Sequence, residues 1–209
     1  MRTQLALIRA AREEFTEKGW NGTRVEDVAR RADCSVKTLY NHFKTKHELI
    51  ARVFGGVLTV IIEDGQRVLN ETEDVTKTIE WMLSKLVETS IRRRNITAAM
   101  VAAMLEQPLI YPEVDHTPGA KLPEDYGAAI IVAALSDLIE LGQEDGLFNA
   151  DLPAFQVASY HVIGTLLLIA MQPDMATEEV QKIALSQLMP ALTSSPGPHE
   201  PASAEPDRS

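Results

Sequence analysis

Between Ser35 and Lys46 the chain sets Ser35, Lys37, Thr38, Tyr40, Asn41, His42 and Lys46 around the apolar Val36, Leu39 and Phe43. The polar residues form neither a nucleophile with its base nor a metal set at ligand spacing. What they share is the capacity to offer hydrogen bonds and positive charge to an anion. Val36, Leu39 and Phe43 stand at i, i+3 and i+7, so a short helix would bury them on one face and turn the others outward. Ser35 is suited to cap that helix, its hydroxyl accepting from the free N–H groups of the first turn. Lys37 falls in that same turn, where a cation beside the positive end of a helix costs about 0.3–1 kcal/mol. A phosphate bound there reverses the sign. Acid–base chemistry has weaker candidates: Asp115, His116, Tyr160 and His161 make a site only on paper, with His116 isolated and Tyr160 and His161 on different helical faces.

The elements that must hold the stretch lie just before it. Thr23-Arg24-Val25-Glu26 has the T-x-x-E spacing of a capping box, and Val25, Val28, Ala29 and Ala32 continue at helical intervals. A helix of two turns, the turn Asp33-Cys34-Ser35 and the second helix make a helix-turn-helix, in which the second helix projects. In the helix before them, Leu5, Ile8, Ala11 and Phe15 make the expected inner stripe, Gly19 stops it, and Trp20 folds back onto a small core.

The run Ile8-Arg9-Ala10-Ala11, Phe15, Lys18-Gly19-Trp20, Thr23, Val28-Ala29, Ala32, Ser35, Thr38-Leu39-Tyr40, His42-Phe43, Lys46 and Leu49 resembles the N-terminal domain of the TetR (tetracycline-repressor-like) family of bacterial transcriptional regulators. It covers roughly residues 5 to 55 in register, without a gap. Asp33 and Cys34 depart from the family's glycine followed by an aliphatic residue. Asp tolerates the left-handed backbone that glycine supplies, so the turn is expected to be kept.

Composition narrows the class. Net charge is −10 over 209 residues, which argues against a chain that coats nucleic acid with its whole surface. The charge is uneven, since residues up to Phe54 carry eleven basic and seven acidic side chains, or +4, leaving −14 for the rest. One cysteine excludes an intramolecular disulfide framework, and the charged amphipathic N-terminus has no signal-peptide core, so the expected location is cytoplasmic. The expected fold is all-α, divided into residues 1–50 as a helix-turn-helix DNA-binding domain, 51–192 as a helical effector-binding and dimerisation domain, and 193–209 as a disordered tail rich in Ser, Pro and Glu.

Beyond the head the periodicity is helical throughout. A helix from about Lys46 carries Leu49, Ile50, Val53, Phe54, Val57, Leu58, Ile61 and Ile62, interrupted by Gly55-Gly56, which reads either as close packing or as a bend point. Val75, Ile79, Met82, Leu83, Leu86, Val87 and Ser90 form the face of the next, which Arg92-Arg93-Arg94 closes with cations at its negative end. A helix with Ile96, Ala99, Met100, Ala103 and Met104 precedes a connection marked by Pro108, Pro112, Pro118 and Pro123. Helical spacing resumes over 124–146, and Asp151-Leu152-Pro153 opens another helix with a cap and an early proline. Ala154 to Met171 is almost wholly apolar, yet short for a membrane span and polar in its first half, so burial against a second copy of the chain is expected instead. Thr177 caps a last helix holding Val180, Ile183, Ala184 and Leu188.

Lys37 and Thr38, in the first turn of the projecting helix, are placed to reach base edges in a major groove, although Thr38 reads equally well as a hydroxyl bonding its own backbone. Asn41 and His42 either reach the DNA backbone or are solvated. Thr23 and Arg24 are candidate phosphate contacts, with Thr23 as a cap alone an equal alternative. The family resemblance implies a phosphate contact for the Tyr40 hydroxyl and another for Lys46. It also implies an effector pocket among Trp81, Met82, Met100, Met104, Tyr111, His116 and Tyr126, for a small apolar or aromatic molecule, and a homodimer through helices near 126–146 and 154–171. By themselves, methionines and aromatics at helical spacing are more often core. The partners expected are a double-stranded, palindromic DNA operator released on effector binding, a small-molecule effector and a second copy of the chain, with no membrane, no cofactor, no metal and no enzymatic reaction. The rival readings are a small-molecule enzyme or a helical partner-binding module that keeps the reading head as scaffold. Cys34, a lone thiol, reads as packing rather than as a redox sensor.

Overall fold

A computed structural model describes residues 2–106 and 127–193. Every regular element among them is a helix: α1 (Arg2–Gly22), α2 (Val25–Arg31), α3 (Val36–His42), α4 (Lys46–Thr72), α5 (Val75–Arg92), α6 (Arg94–Glu106), α7 (Ala129–Glu144), α8 (Ala154–Met171) and α9 (Thr177–Thr193). The all-α fold read from the pattern is the fold observed.

The first three helices surround Phe15, Trp20, Val28, Ala29, Leu39 and Phe43, all buried. The phase of α1 differs from the expected stripe: Leu7, Ala10, Ala11 and Phe15 face the core, whereas Leu5 is 63% exposed. Gly19 breaks α1 as expected, with φ 65°, and Trp20 turns back to stack on Phe15 at 6.0 Å between ring centroids. The capping box read at Thr23–Glu26 is not formed. Arg24 is the N-cap of α2 and makes no side-chain cap, while the buried Thr23 donates its hydroxyl to the Gly19 carbonyl at 2.7 Å. The helix break at Gly19 leaves that carbonyl without an intrahelical donor, and Thr23 satisfies it.

The same T-x-x-E spacing recurs at Thr45–Glu48, and there both side chains bond backbone amides. Thr45 Oγ1 accepts from the Glu48 amide at 3.0 Å, and the Glu48 carboxylate accepts from the Lys44 amide at 2.5 Å. From this start α4 runs unbroken to Thr72, through Gly55 and Gly56. Gly55 is buried and Gly56 exposed, and the helix continues through both.

Around α4 the remaining helices form one body. α5 packs on α4, with Val75, Ile79, Met82, Leu83, Leu86, Val87 and Ser90 all buried. α6 lies across α1 and α4 and reaches α8, α7 and α8 pair closely, and α9 closes the bundle against α5 and α8. The arginine run straddles the α5–α6 junction rather than closing α5 alone. Arg92 pairs with Glu88, Arg93 is the C-cap of α5, and Arg94 opens α6. The Arg94 guanidinium donates to the carbonyls of Ile169 (3.2 Å) and Gln172 (3.0 Å), satisfying acceptors at the C-terminal end of α8. Asp151 does not cap α8; Pro153 occupies that position, without a side-chain bond. Nor does Thr177 cap α9: it is the first helical residue, and the Ala176 carbonyl accepts from Glu179 and Val180. The proline-marked connection and the tail from Ser194 lie outside the described residues.

Candidate nucleic-acid interface and effector cavities

α3 has seven residues, too few to be stable alone. It is held by Leu39 and Phe43, each 1% exposed, and by its cap, where Ser35 Oγ accepts from the Thr38 amide at 3.0 Å. The turn that sets its angle is a Schellman closure: the Cys34 amide reaches the Ala29 carbonyl at 3.0 Å and the Asp33 amide reaches Arg30 at 3.1 Å. Asp33 takes φ 52°, the left-handed conformation expected of it. A glycine, Gly146 at φ 71°, does the same for α7.

The outward face of α3 presents Lys37, Asn41 and His42, all exposed, and Tyr40, which is 47% exposed. Thr38 is half-buried, and its hydroxyl meets the Ser35 hydroxyl at 2.9 Å, a side-chain partner rather than the backbone of the alternative reading. Arg24 is exposed at the start of α2. Thr23, buried and bonded to Gly19, is not available to a phosphate.

Lys46 is also placed differently from the expectation. Its ammonium donates to the Trp20 carbonyl and sits 4.0 Å from the centroid of the Trp20 ring. Burial pulls it below its ordinary pKa of 10.5, with the Glu106 carboxylate opposing. Around it Trp20 Nε1 donates to Glu106 at 2.9 Å, and His47 Nε2 lies 3.3 Å from the same carboxylate. The lysine is thus built into the contact between head and body. Lys44, exposed just before the α4 cap, is the cation that the sequence reading passed over. Its place between a projecting helix and a T-x-x-E cap was the signal that could have found it.

Other basic residues of the head are engaged internally. Lys18 binds Glu14 at 2.7 Å and Asp27 at 3.1 Å, while Arg31 binds Glu14 at 2.9 Å and Glu17 at 2.5 Å. Glu14 is buried between these two cations, a paired charge that fastens α2 to α1. These hydrogen bonds hold the Glu17 and Asp27 carboxyls below their ordinary range. Burial and the neighbouring Asp33 charge raise the Cys34 thiol above its ordinary pKa, which suits inert packing rather than redox sensing.

The residues expected to line one effector pocket are dispersed. Trp81 borders a cleft of about 370 Å³ between α1, α4 and α5, together with Val57, Val60 and Arg12. Met82 borders a separate, more apolar cavity of about 170 Å³ between α4, α5 and α7, with Gly65, Leu69, Leu138 and Leu141. Met100 is buried in the core and Met104 packs against it; neither lines either cavity. Adjacent helical residues point about 100° apart, so Trp81 and Met82 open to opposite flanks of the α4–α5 pair. Tyr111, His116 and Tyr126 lie outside the described residues. Of the acid–base set, the His161 ring nitrogen meets its own helix's Val157 carbonyl at 2.8 Å, and Tyr160 is exposed. Among the described residues no group of carboxylates, histidines and cysteine could hold a metal ion.

α8 is long and apolar enough to cross a membrane by length and composition, with mean hydropathy 1.6 over 18 residues. It lies instead among α5, α6, α7 and α9, and a third of it is buried within the chain.

Residues 7–53 match the family model described as bacterial regulatory proteins, tetR family. No curated protein matches the chain. Among solved structures, a TetR-family repressor, FadR of Thermus thermophilus in complex with lauroyl-CoA, superposes with TM-score 0.72 at 16% identity over 93% of this chain and 97% of that one. FadR of Bacillus subtilis, in complex with stearoyl-CoA, gives TM-score 0.62 at 16% identity over 90% and 97%. RolR in complex with resorcinol gives 0.63 at 16% identity over 91% and 87%. Residues 7–53 thus match the tetR-family model, and the chain as a whole has the fold of these solved structures.

Proposed function

We propose that the chain is a DNA-binding transcriptional repressor that acts as a homodimer, reads a palindromic operator with α3 and releases it when a small apolar or aromatic molecule binds the body. The observation that carries the DNA-binding reading is the split character of α3, with Leu39 and Phe43 buried beneath while Lys37, Tyr40, Asn41 and His42 face out. Lys37 and Thr38 are assigned to base edges; Tyr40, Arg24 and Lys44 are assigned to phosphates. The −14 carried by the rest of the chain repels a polyanion, so the duplex is directed to the head.

The dimer reading rests on α8, whose outward side carries Gln156, Tyr160, Gly164 and Met171, flanked by the partly exposed Ile163 and Leu167, with no charged residue anywhere in the helix. Gly164 is exposed on that side, and a Cβ built on it meets nothing, which leaves room for a close partner helix. Two copies of α7 and α8 would make a four-helix bundle and present two equal heads to a palindrome. The lauroyl-CoA, stearoyl-CoA and resorcinol complexes of similar fold support an effector with a large apolar or aromatic part.

A gel-shift titration against genomic fragments tests the reading. Affinity is expected to fall steeply with salt, by a log–log slope of about −0.9 per phosphate neutralised. Tyr40→Phe is expected to weaken binding at all sequences without lowering thermal stability. A chain that retains no DNA at any salt refutes the proposal.

A further inference from the structure

We infer that the cleft between α1, α4 and α5 is a binding site for a small amphiphilic anion, a carboxylate or phosphate head joined to an apolar body. Four cations line it, Arg12, Lys85, Arg92 and Arg93, against two carboxylates, Asp64 and Glu88. This basic surface lies in a chain whose net charge is −10. Both carboxylates are already matched. Asp64 pairs with Arg67, while Glu88 takes Lys85 at 2.8 Å and also Arg92. Those two cations hold the Glu88 carboxyl below its ordinary range. Arg12 and Arg93 are left exposed, with no ion-pair partner among the described residues.

Apart from Thr89, the rest of the cleft is apolar. Val57, Val60 and Ile61 on α4 and Trp81 on α5 form its floor, and Val60 is more than half exposed. Gly56 opens the α4 surface there. Two unpaired guanidiniums beside an aliphatic and indole floor select a ligand charged at one end only, since Arg binds carboxylate and phosphate oxygens in a fork. At about 370 Å³ the cleft falls within the usual range of small-molecule sites. It is separate from the Met82 cavity and from the face of α3. The inference does not depend on DNA binding.

Octanoate, octyl phosphate and 1-octanol, titrated into the full chain by calorimetry without DNA, test it directly. At least one of the two anions is expected to bind with 1:1 stoichiometry per chain, at least tenfold tighter than 1-octanol. The tighter anion identifies the head group. Arg12→Gln combined with Arg93→Gln is expected to lower that affinity at least tenfold, and Val60→Ser to lower it less. Because neither arginine has a partner, the double variant should keep the wild-type melting temperature. Lys182→Ala, an exposed cation on α9, should leave the affinity unchanged. Failure of both anions to bind the wild-type chain overturns the inference, as does equal binding by the Arg12/Arg93 variant or by 1-octanol. Each of those results leaves the gel shift free to succeed or fail by itself.

Discussion

α3 and α8 each turn a face away from the chain that carries them, and the two faces are opposite in kind. α3 is short, capped at Ser35, anchored by Leu39 and Phe43, and polar outside. α8 is long, uncapped by any side chain, free of charged residues, and two-thirds of it is not buried within the chain. A polar exposed face is stable in water whether or not a partner is present. An apolar one of that length gains free energy from every contact that removes it from water, at about 25 cal/mol per Å². The first surface therefore suits an exchangeable partner and the second a lasting one.

The sharpest way to break the contrast is to cut α3 from beneath. Phe43→Ala is expected to cost about 3–5 kcal/mol of stability, seen as a lowered denaturant midpoint, and to abolish operator binding although no outward residue changes. If Phe43→Ala binds DNA normally, α3 is not held as described. On the other surface, Leu167→Glu should halve the mass measured by light scattering while helix content is kept, and the monomer should bind the palindrome at least tenfold more weakly. A dimer that survives this change places the twofold axis elsewhere. Next comes Lys37→Ala, expected to cost about 1–3 kcal/mol of operator affinity with melting unchanged. Raising salt should weaken wild-type DNA binding and leave the dimer intact.

A smaller effect separates the two regions by pH. Glu17 and Asp27 have carboxyls lowered from 4.5 and 3.8 by Arg31 and by Lys18 with Arg30, respectively. Their contribution is fully present above those ordinary values and is lost as pH falls through the lowered ones. The α1–α2 contact should therefore loosen below about pH 4, while α8, with no carboxylate, keeps its face. Hydrogen exchange followed by helix across that range reads the difference. The smallest change expected is a gain: Asp33→Gly should stabilise the head by about 1 kcal/mol or less, since glycine takes the left-handed conformation without strain. A loss of stability there would mean that the Asp33 side chain contributes something the backbone does not explain.

The helices and the α3 cap were legible because both are local. Periodicity gave every described helix, and Ser35 capped where its spacing required. Three of the misreadings came from contacts distant in sequence or from a degenerate pattern. T-x-x-E occurs at Thr23 and at Thr45, and only the carbonyl freed by the Gly19 break decides against the first. α1 has alanines at positions 6, 10 and 11, so its apolar arc is broad and Leu5 or Leu7 could equally lead it; packing on α4 and α6 chose Leu7. Lys46 reads as a phosphate contact by resemblance, and nothing local contradicts that, because the indole that captures it lies 26 residues earlier. The dispersal of Trp81 and Met82 was readable from their adjacency alone, since neighbours on a helix do not share a face. The basic cleft was not, because Arg12 and Arg93 meet only in three dimensions.

The continuity of α4 has a mechanical consequence. Twenty-seven residues at 1.5 Å rise make a rod about 40 Å long. Clamped at its first turn by the Thr45–Glu48 cap and the Trp20–Lys46 contact, it transmits tilt without absorbing it. Pivoting such a rod by about 5° about its Thr72 end swings its Lys46 end, and the head clamped to it, by about 3.5 Å, close to the ~3.4 Å step between successive base pairs. A displacement of a few ångströms beside Gly56 or Met82 is thus commensurate with one letter of the sequence the heads would read.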